Sequence, residues 1–208
     1  MIRDRNIDSL GISSTGLRAR QQYLILKPDV AVDSIVAAED VSSDVAAATL
    51  VKNALDYPRN LLYTLTDAAS TTLEAIFTVV GLDQFGNAVT EVTDVTQATA
   101  VSGTQIFSYI TSIAIDVTNG AASDTADVGV SIEADVASFG LPDEIDAVTD
   151  VKAITFLDNG VVTAQNIDST SVVVARNCYR PEQTVEVIDD YVIFYKSTFE
   201  LVDGTVDS

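Results

Sequence analysis

The stretch that decides the fold is RNLLYTLTDAASTTLEAIFTVVGLDQFGNAVTEV, residues 59–92. It holds runs rich in β-branched and aromatic residues at 60–66 and 73–80, and a third run that begins at 88 and continues to 95. A polar DAAST segment separates the first two runs, and a turn with Gly and Asn separates the last two. Short apolar runs bounded by such turn residues are typical of β-strands. The stretch therefore predicts three consecutive strands.

Further strand-like segments surround this stretch. They lie at residues 49–55, 104–117, 125–132, 151–157, 161–165, 171–175, 184–188 and 191–196. We expect a turn at 56–58, a bend or a bulge near Thr111 and Ser112, and a hairpin at Asn159-Gly160. No long stretch sustains a helical period, and residues 29–45 fit either a short helix or a polar loop with a strand. This pattern predicts an all-β fold of the β-sandwich type.

The chain divides into three predicted parts. These are an extended basic N-terminal arm (1–27), a main β-sandwich (28–135) and a smaller C-terminal β-part (136–208). The second boundary lies where an acidic, loop-like segment at 134–150 interrupts the strand pattern. Because 47% of the residues are hydrophobic, the body can bury a proper core, which argues against disorder.

Charge is distributed unevenly along the chain, whose formal net charge is -20. The first 27 residues carry five basic and two acidic side chains, or +3, and the remainder carries six against 29, or -23. No Lys or Arg occurs between Arg59 and Lys152. Because such an acidic surface repels nucleic acid and anionic membranes, we expect neither as a partner. The charged N-terminus is unlike a signal peptide, and no apolar run approaches the roughly 20 residues of a membrane span.

The basic arm is the predicted partner-binding segment. Its candidate residues are Arg3, Arg5, Ile7, Leu10, Ile12, Leu17, Arg18 and Arg20. The arginines would meet carboxylates on the body, a sister subunit or another protein, and the apolar side chains would anchor the contact. Gly11, Gly16 and the Ser13-Ser14-Thr15 run favour an extended clamp over a helix, and strand-like character begins at Tyr23. The alternative interpretation is a polar tail that solvates itself.

Residue types restrict the chemistry. The chain has no His, no Trp and a single Cys, so it lacks Ser-His-Asp and Cys-His nucleophile systems and imidazole metal ligands. It also lacks a phosphate-binding loop and a dinucleotide fingerprint. We therefore expect no enzyme activity, no cofactor and no transition metal. A two-carboxylate hydrolase is compatible with the many Asp and Glu residues, but few aromatics are present to line a sugar site.

Two minor features remain. Oxygen-rich segments at 116–127, 143–146 and 189–190 leave calcium binding open, although none has the spacing of a known calcium loop. Cys178 has no cysteine partner, so we expect a buried or idle thiol in a chain that folds in a reducing cytosol.

The stretch 59–92 resembles a module of tailed-phage virion proteins. In that module, a strand with Arg-Asn at its start and Thr-Asp at its end precedes a strand that leads into a Gly-x-Asp-x-x-Gly-Asn turn. Here the turn residues are Gly81, Asp83, Gly86 and Asn87. The opening RDRNI and the segment GTQIFSYITSIAI at 103–115 fit the same pattern, so the resemblance covers roughly the first two-thirds of the chain.

This resemblance implies a virion structural protein of the capsid decoration or cement type. Such a protein is made in the host cytoplasm and binds the capsid exterior, with the major capsid protein as its partner. It commonly sits at local threefold positions, so we expect a trimer. The resemblance carries over no catalytic or binding residues. The alternatives are a tail, neck or fibre component and a β-sandwich carbohydrate-binding module, which a shallow aromatic groove would favour.

Overall fold

The computed structural model describes residues 18–26, 35–68, 72–96, 100–142, 144–158, 161–185 and 190–199. The structure is nearly all β, with 51% strand and 4% helix, which confirms the predicted class. In the ambiguous 29–45 region, the described residues form a strand rather than a helix.

Within the described residues, the strands follow one another along the chain with two short 3₁₀ helices among them. They are β1 Arg18–Leu26, β2 Val36–Asp40, β3 Ala54–Arg59, β4 Leu61–Thr66, β5 Glu74–Leu82, β6 Ala88–Thr96, β7 Val101–Ser102, β8 Phe107–Thr118, β9 Thr125–Val130, β10 Phe139–Gly140, β11 Val151–Asp158, β12 Val161–Ala164, β13 Val172–Val173, β14 Cys178–Tyr179 and β15 Asp190–Phe199. The 3₁₀ helices are Val148–Asp150 and Val174–Arg176.

In the described part of the chain, the strands form three antiparallel sheets. The largest has seven strands in the order β13-β14-β10-β3-β8-β5-β6. A four-stranded sheet has the order β2-β9-β4-β7, and another has the order β1-β15-β11-β12. Long stretches of chain separate many neighbours, such as β3 and β8, so sequence order does not give the order in the sheets.

Two of these sheets enclose the first core. Its buried side chains come from β2, β4 and β9 on one side and from β5, β6 and β8 on the other. Tyr63 of β4 and Phe77 of β5 meet across the layer, with ring centroids 5.1 Å apart. The alternation of buried and exposed residues along β5 gives one core face and one outer face. The arrangement is therefore a sandwich.

A second core lies in the C-terminal half. It consists of Ala137, Phe139, Leu141, Ile145, Val151, Ile154, Val172, Tyr179, Val185 and Ile193. Six of these residues lie on strands: on β10, β13 and β14 at the end of the seven-stranded sheet, and on β11 and β15. The other four, Ala137, Leu141, Ile145 and Val185, lie on the connecting segments. The boundary predicted after residue 135 falls between the two cores, but the seven-stranded sheet runs across it because β10 pairs with β3.

Two local predictions are confirmed. Val80 pairs with Ser112 while Gly81 pairs with Ile110, so Thr111 is the extra residue of a bulge in β8. The bulge explains the glycine, because a Cβ at Gly81 would collide with the Tyr109 carbonyl oxygen. The predicted hairpin is the second confirmed feature. β11 and β12 are antiparallel, and their last pair is Asp158 opposite Val161, which leaves a connection of two residues. Asn159 and Gly160 themselves lie outside the described residues.

Other local predictions are wrong. The strand expected at 49–55 and the turn at 56–58 are replaced by β3, which runs from Ala54 through Pro58 to Arg59. Proline is tolerated there because β3 pairs with β8 only at Ala54 and Arg59, with an irregular register between them. The strand expected at 171–175 shrinks to Val172–Val173 followed by a 3₁₀ helix. The two-residue strands β10 and β14 have no counterpart among the predicted elements.

Candidate functional site: an exposed apolar sheet face

The outer surface of β8, β5 and β6 carries large apolar side chains in a contiguous group. We define this outer face by Ile76, Val80, Leu82, Val92 and Tyr109. Val92 is 65% exposed, and the other four are 36–41% exposed. Leu82 lies directly opposite Tyr109, and Val92 lies opposite Thr78, between Ile76 and Val80. Single exposed apolar residues are ordinary, whereas a contiguous group of them marks an interaction surface.

The face is held by a core that leaves its strands little freedom. Ala75, Phe77 and Val79 alternate with the exposed residues of β5 and are buried beneath them. β5 is paired along its full length, with β6 on one side and β8 on the other. An apolar surface on such a scaffold binds without first becoming ordered, which lowers the entropic cost of association.

One end of the outer face is acidic. Ile76 lies opposite Asp94 of β6 and Asp116 of β8, and Glu74 is two residues away on β5. All three carboxylates are on exposed positions. Because no Lys or Arg occurs between Arg59 and Lys152, this part of the chain supplies no cation to balance them. The face therefore suits a partner with apolar side chains and a few basic ones.

The turn at the other end is built by Asp83. Its Oδ1 accepts hydrogen bonds from the backbone N–H groups of Phe85 and Asn87, both at 2.8 Å. Its Oδ2 accepts one from the Asn87 side-chain amide at 3.1 Å. Gly86 has φ 83°, a conformation that favours glycine. The Gly-x-Asp-x-x-Gly-Asn pattern is thus a turn-building device, which projects Phe85 at 40% exposure.

The Arg-Asn pair at 59–60 is buried. Arg59 Nη2 donates a hydrogen bond to the Ser131 carbonyl at 2.8 Å, and its guanidinium lies 4.8 Å from the centroid of the Phe139 ring. Asp56 supplies a carboxylate oxygen 3.9 Å from Nη1. A buried cation needs such partners because desolvation is costly. Arg59 therefore joins the first core to the second.

Asn60 completes this connection. Its amide donates hydrogen bonds to the carbonyls of Gly103 at 2.8 Å and Val136 at 3.1 Å. Its side-chain oxygen accepts one from the Ser138 N–H at 2.7 Å. One side chain thus satisfies three backbone groups from two distant segments. The Arg-Asn pair quoted for the phage module thus makes its contacts within the chain.

Glu91 lies on the inner side of β6 and connects this strand to β4 and to the 103–105 segment. It is 6% exposed, and its Oε2 accepts a hydrogen bond from the Tyr63 hydroxyl at 2.8 Å. Its Oε1 accepts the backbone N–H groups of Thr104 and Gln105 at 2.5 and 3.0 Å. Burial, with the Glu91 charge beside it, raises the pKa of Tyr63 well above its ordinary value. All these contacts hold the 103–105 connection against the sheet.

A cleft of about 290 Å³ lies where the 83–85 turn meets the C-terminal half. Gln84 crosses it and donates to the carbonyls of Arg176 at 3.2 Å and Asn177 at 3.4 Å. Arg176 Nη1 in turn donates to the Thr104 carbonyl at 3.0 Å. Phe85 is the aromatic side chain among its lining residues. The cleft is thus crossed by contacts between the two halves and does not form an aromatic groove.

The structure also places the oxygen-rich segments and the cysteine. Asp124 is buried and accepts backbone N–H groups from Ala68 and Ala121 at 2.9 and 2.8 Å, so it anchors its own loop. Among the described residues, no three Asp, Glu or Cys side chains are grouped closely enough to hold a metal; Asp143 and Asp189 lie outside that part. Cys178 is buried, as predicted, and burial raises the pKa of its thiol.

The predicted arm is described only at its end. Arg18 and Arg20 lie on β1, opposite Phe199 and Ser197 of the same chain. The strand thus begins at Arg18 rather than at the predicted Tyr23. The remaining candidate residues lie outside the described part of the chain: Arg3, Arg5, Ile7, Leu10, Ile12 and Leu17. Sequence reasoning did not single out the outer face, although alternation at 73–80 and 88–95 was its available signal.

Comparison with protein-family models, curated proteins and solved structures yields no match for this chain. The helical segments within the described residues are too short to cross a membrane.

Proposed function

We propose that the protein is a virion structural protein that binds the outside of an icosahedral capsid and reinforces the junctions between major capsid subunits. The observation that carries the proposal is the outer face, a contiguous apolar surface on a firmly packed sheet. The resemblance of residues 59–92 to phage virion modules supplies the identity of the partner. In this role the protein acts by adhesion and needs no catalytic group.

Such binding becomes strong when several copies of the outer face bind the same lattice. Each buried apolar square ångström contributes roughly 25 cal/mol, so a face of five partly exposed side chains yields a moderate gain per copy. A self-associated protein, with a trimer as our first choice, presents several faces to a lattice with matching symmetry. Several moderate contacts made together then hold more tightly than any one of them.

The N-terminal arm is the second part of the proposal. Arg3 and Arg5 would meet carboxylates of a neighbouring subunit or the capsid, and Ile7, Leu10 and Ile12 would anchor the contact. Exposed ion pairs contribute only about 0–1 kcal/mol each, whereas a fully buried aliphatic side chain contributes roughly 1.5–3 kcal/mol. The apolar residues therefore supply most of the affinity, and charge sets the orientation.

Binding to bare capsids of the cognate major capsid protein tests the outer face. The double variant Ile76→Ser/Val80→Ser should sediment with particles much less than the unaltered protein does. The matched control is Val161→Ser/Val162→Ser on β12, where the same chemical change is made at residues 64% and 66% exposed but away from the face. Equal binding by the two double variants would contradict the proposal.

The arm is tested by deleting residues 1–17, which leaves β1 in place. The deletion should abolish particle binding, while circular dichroism remains that of a β-protein. Replacing Arg3 and Arg5 by Gln should weaken binding less than replacing Ile7, Leu10 and Ile12 by Ser. If the truncated chain decorates particles as well as the full chain, the arm is a solvated tail. Labelled protein found on tails or necks in electron micrographs would support the alternative virion role.

A further inference from the structure

The outer face is three strands wide, and its side chains lie in rows that cross β6, β5 and β8. The strand registers place Asp94, Ile76 and Asp116 in one row. Six residues further along β5, Leu82 and Tyr109 lie side by side in the last row. At about 3.4 Å per residue, the acidic end of the face is about 20 Å from its apolar end.

The rows between these ends carry small side chains beside the apolar ones. Val92 has one small neighbour in its row, and Val80 lies between two in the next row. The small residues of these two rows are Thr78, Ala114, Thr90 and Ser112. Since neither row contains a long polar side chain, an elongated partner can lie along the middle of the face.

The width of the face matches one α-helix. β6 and β8 lie on either side of β5, so they are separated by two strand spacings, or about 9.6 Å. A helix with its side chains is about 10–12 Å wide, and a helix of about 13 residues is about 20 Å long. One such helix covers all three strands from the acidic to the apolar end, whereas an extended segment would cover only one of them.

The carboxylates at the acidic end are available to a partner. In the described part of the chain, the side chains of Glu74, Asp94 and Asp116 have no hydrogen-bond or ion-pair partner. Because Asp94 and Asp116 flank Ile76, a side chain that lies on Ile76 has a carboxylate on each side. Lys and Arg bury their apolar stems on such a surface while their charged heads stay in water. The row therefore suits basic side chains at one end of the helix.

A second copy of the chain does not fit this face. Its own outer face carries the same carboxylates, and no Lys or Arg occurs between Arg59 and Lys152 to balance them. Packing two such faces together would bury carboxylates without cations, which is costly. Self-association therefore requires a different surface.

We propose that the outer face binds one amphipathic helix of the partner protein, whose basic side chains meet Asp94 and Asp116. The inference rests on the capsid-binding role of this face in the proposed function, and it adds the form and the charge of the bound segment. The apolar side chains of the helix cover Val92, Val80 and Leu82 and supply most of the affinity. The carboxylates fix the direction of the helix along the strands.

Two synthetic peptides test the charge and the form of the segment. Both are amphipathic, about 14 residues long, and carry one stripe of Leu side chains. They differ at two positions near one end, which hold Arg in the first peptide and citrulline, its neutral isostere, in the second. Added to the isotope-labelled full chain at low salt, the Arg peptide should shift the amide signals of Ile76, Asp94 and Asp116 saturably. It should bind roughly tenfold more tightly than the citrulline peptide, and circular dichroism should show a gain of helix.

A pair of charge variants tests the place of the contact. Asp94→Asn/Asp116→Asn should weaken binding of the Arg peptide about tenfold without weakening that of the citrulline peptide. The matched control is Glu133→Gln/Glu182→Gln, which removes the same charge from two exposed positions in the C-terminal half. This control should keep the preference for Arg, and it separates a local contact from attraction by the acidic body as a whole.

Five results would overturn the inference. They are no saturable shift on the face, equal affinity for the two peptides, equal weakening in the two double variants, binding without a gain of helix, and loss of self-association in Ile76→Ser/Val80→Ser. The fourth would mean that the face takes an extended segment, and the fifth that it takes a second copy. No particle is present in these experiments, so peptide binding without capsid binding would contradict only the proposed function. Capsid binding that is as strong in Asp94→Asn/Asp116→Asn as in the unaltered protein would contradict only this inference.

Discussion

The two halves of the molecule build their parts of one sheet from strands of very different length. In the N-terminal half, residues 35–131, β5 and β6 have nine residues each and β8 has twelve. In the C-terminal half, residues 132–199, the strands β10, β13 and β14 that continue the sheet have two residues each. Long strands are stabilised by many backbone hydrogen bonds to their neighbours and by burial of every second side chain. Strands of two residues make few such bonds and need other contacts.

Polar side chains provide that support in the C-terminal half. Asn177 has φ 51°, and its amide accepts the Ile145 N–H at 2.8 Å and donates to the Leu141 carbonyl at 2.9 Å. It thereby holds the segment after β10 against β14. Asp168 similarly organises the turn before β13. Backbone groups that lack a ladder must find side-chain partners, so the shorter strands require more of them.

The largest effect is expected from the first core. Phe77→Ala should lower the free energy of unfolding by about 3–5 kcal/mol, because it leaves a cavity against Tyr63. Denaturant unfolding followed by circular dichroism measures the change, with Phe85→Ala at the exposed turn as the nearly neutral control. Since one sheet crosses both halves, we expect a single transition. Two transitions, with the second unchanged by Phe77→Ala, would mean that the halves are independent.

A smaller loss is expected from cutting the link between the halves. Asn60→Ala leaves the Gly103 carbonyl and the Ser138 N–H without their side-chain partner, at a cost of about 1–3 kcal/mol for each that stays buried and unsatisfied. The Val136 carbonyl still accepts a hydrogen bond from the Ser138 hydroxyl. We expect a total loss of about 2–4 kcal/mol, with amide exchange rising first around Ser138. Thr64→Ala, on the strand β4 that follows Asn60, is the control. Uniform exchange throughout the chain would show that Asn60 stabilises both halves equally.

The smallest effect is expected at low pH, where protonation of Asp168 weakens its hydrogen bonds. The Thr170 hydroxyl, followed by the Ser171 and Thr170 backbone N–H groups, donates hydrogen bonds that lower the pKa of Asp168 from 3.8 to about 2. Because the folded-state pKa is the lower one, this stabilisation is complete above about pH 4 and is lost as the pH falls through about 2. Amide exchange at Thr170 and Ser171 should rise in that window in the native chain. In Asp168→Asn it should already be raised at neutral pH; equal exchange in both chains at pH 7 would contradict the assignment.

Prediction from the sequence succeeded where the strands are long. The runs at 60–66, 73–80 and 88–95 correspond to β4, β5 and β6, and the bulge at Thr111 was placed correctly. It failed at β3, where Pro58 suggested a turn, and at β10 and β14. A two-residue strand has no period, so nothing in its own sequence distinguishes it from a loop. The capsid partner, the trimer and the absence of catalysis stay predictions.

The sequence by itself determined the all-β class, the faces of the long strands and the acidic body with its basic N-terminal segment. These properties follow from residue type and from a side-chain period of two, which are local. Only the tertiary structure decided that β6 lies last in the order of the described strands, that Arg59 and Asn60 join two cores, and which side chains form the outer face. The outer face consists of Ile76, Val80, Leu82, Val92 and Tyr109. Those results depend on which distant segments pair, and pairing is decided by long-range packing rather than by any short stretch of chain.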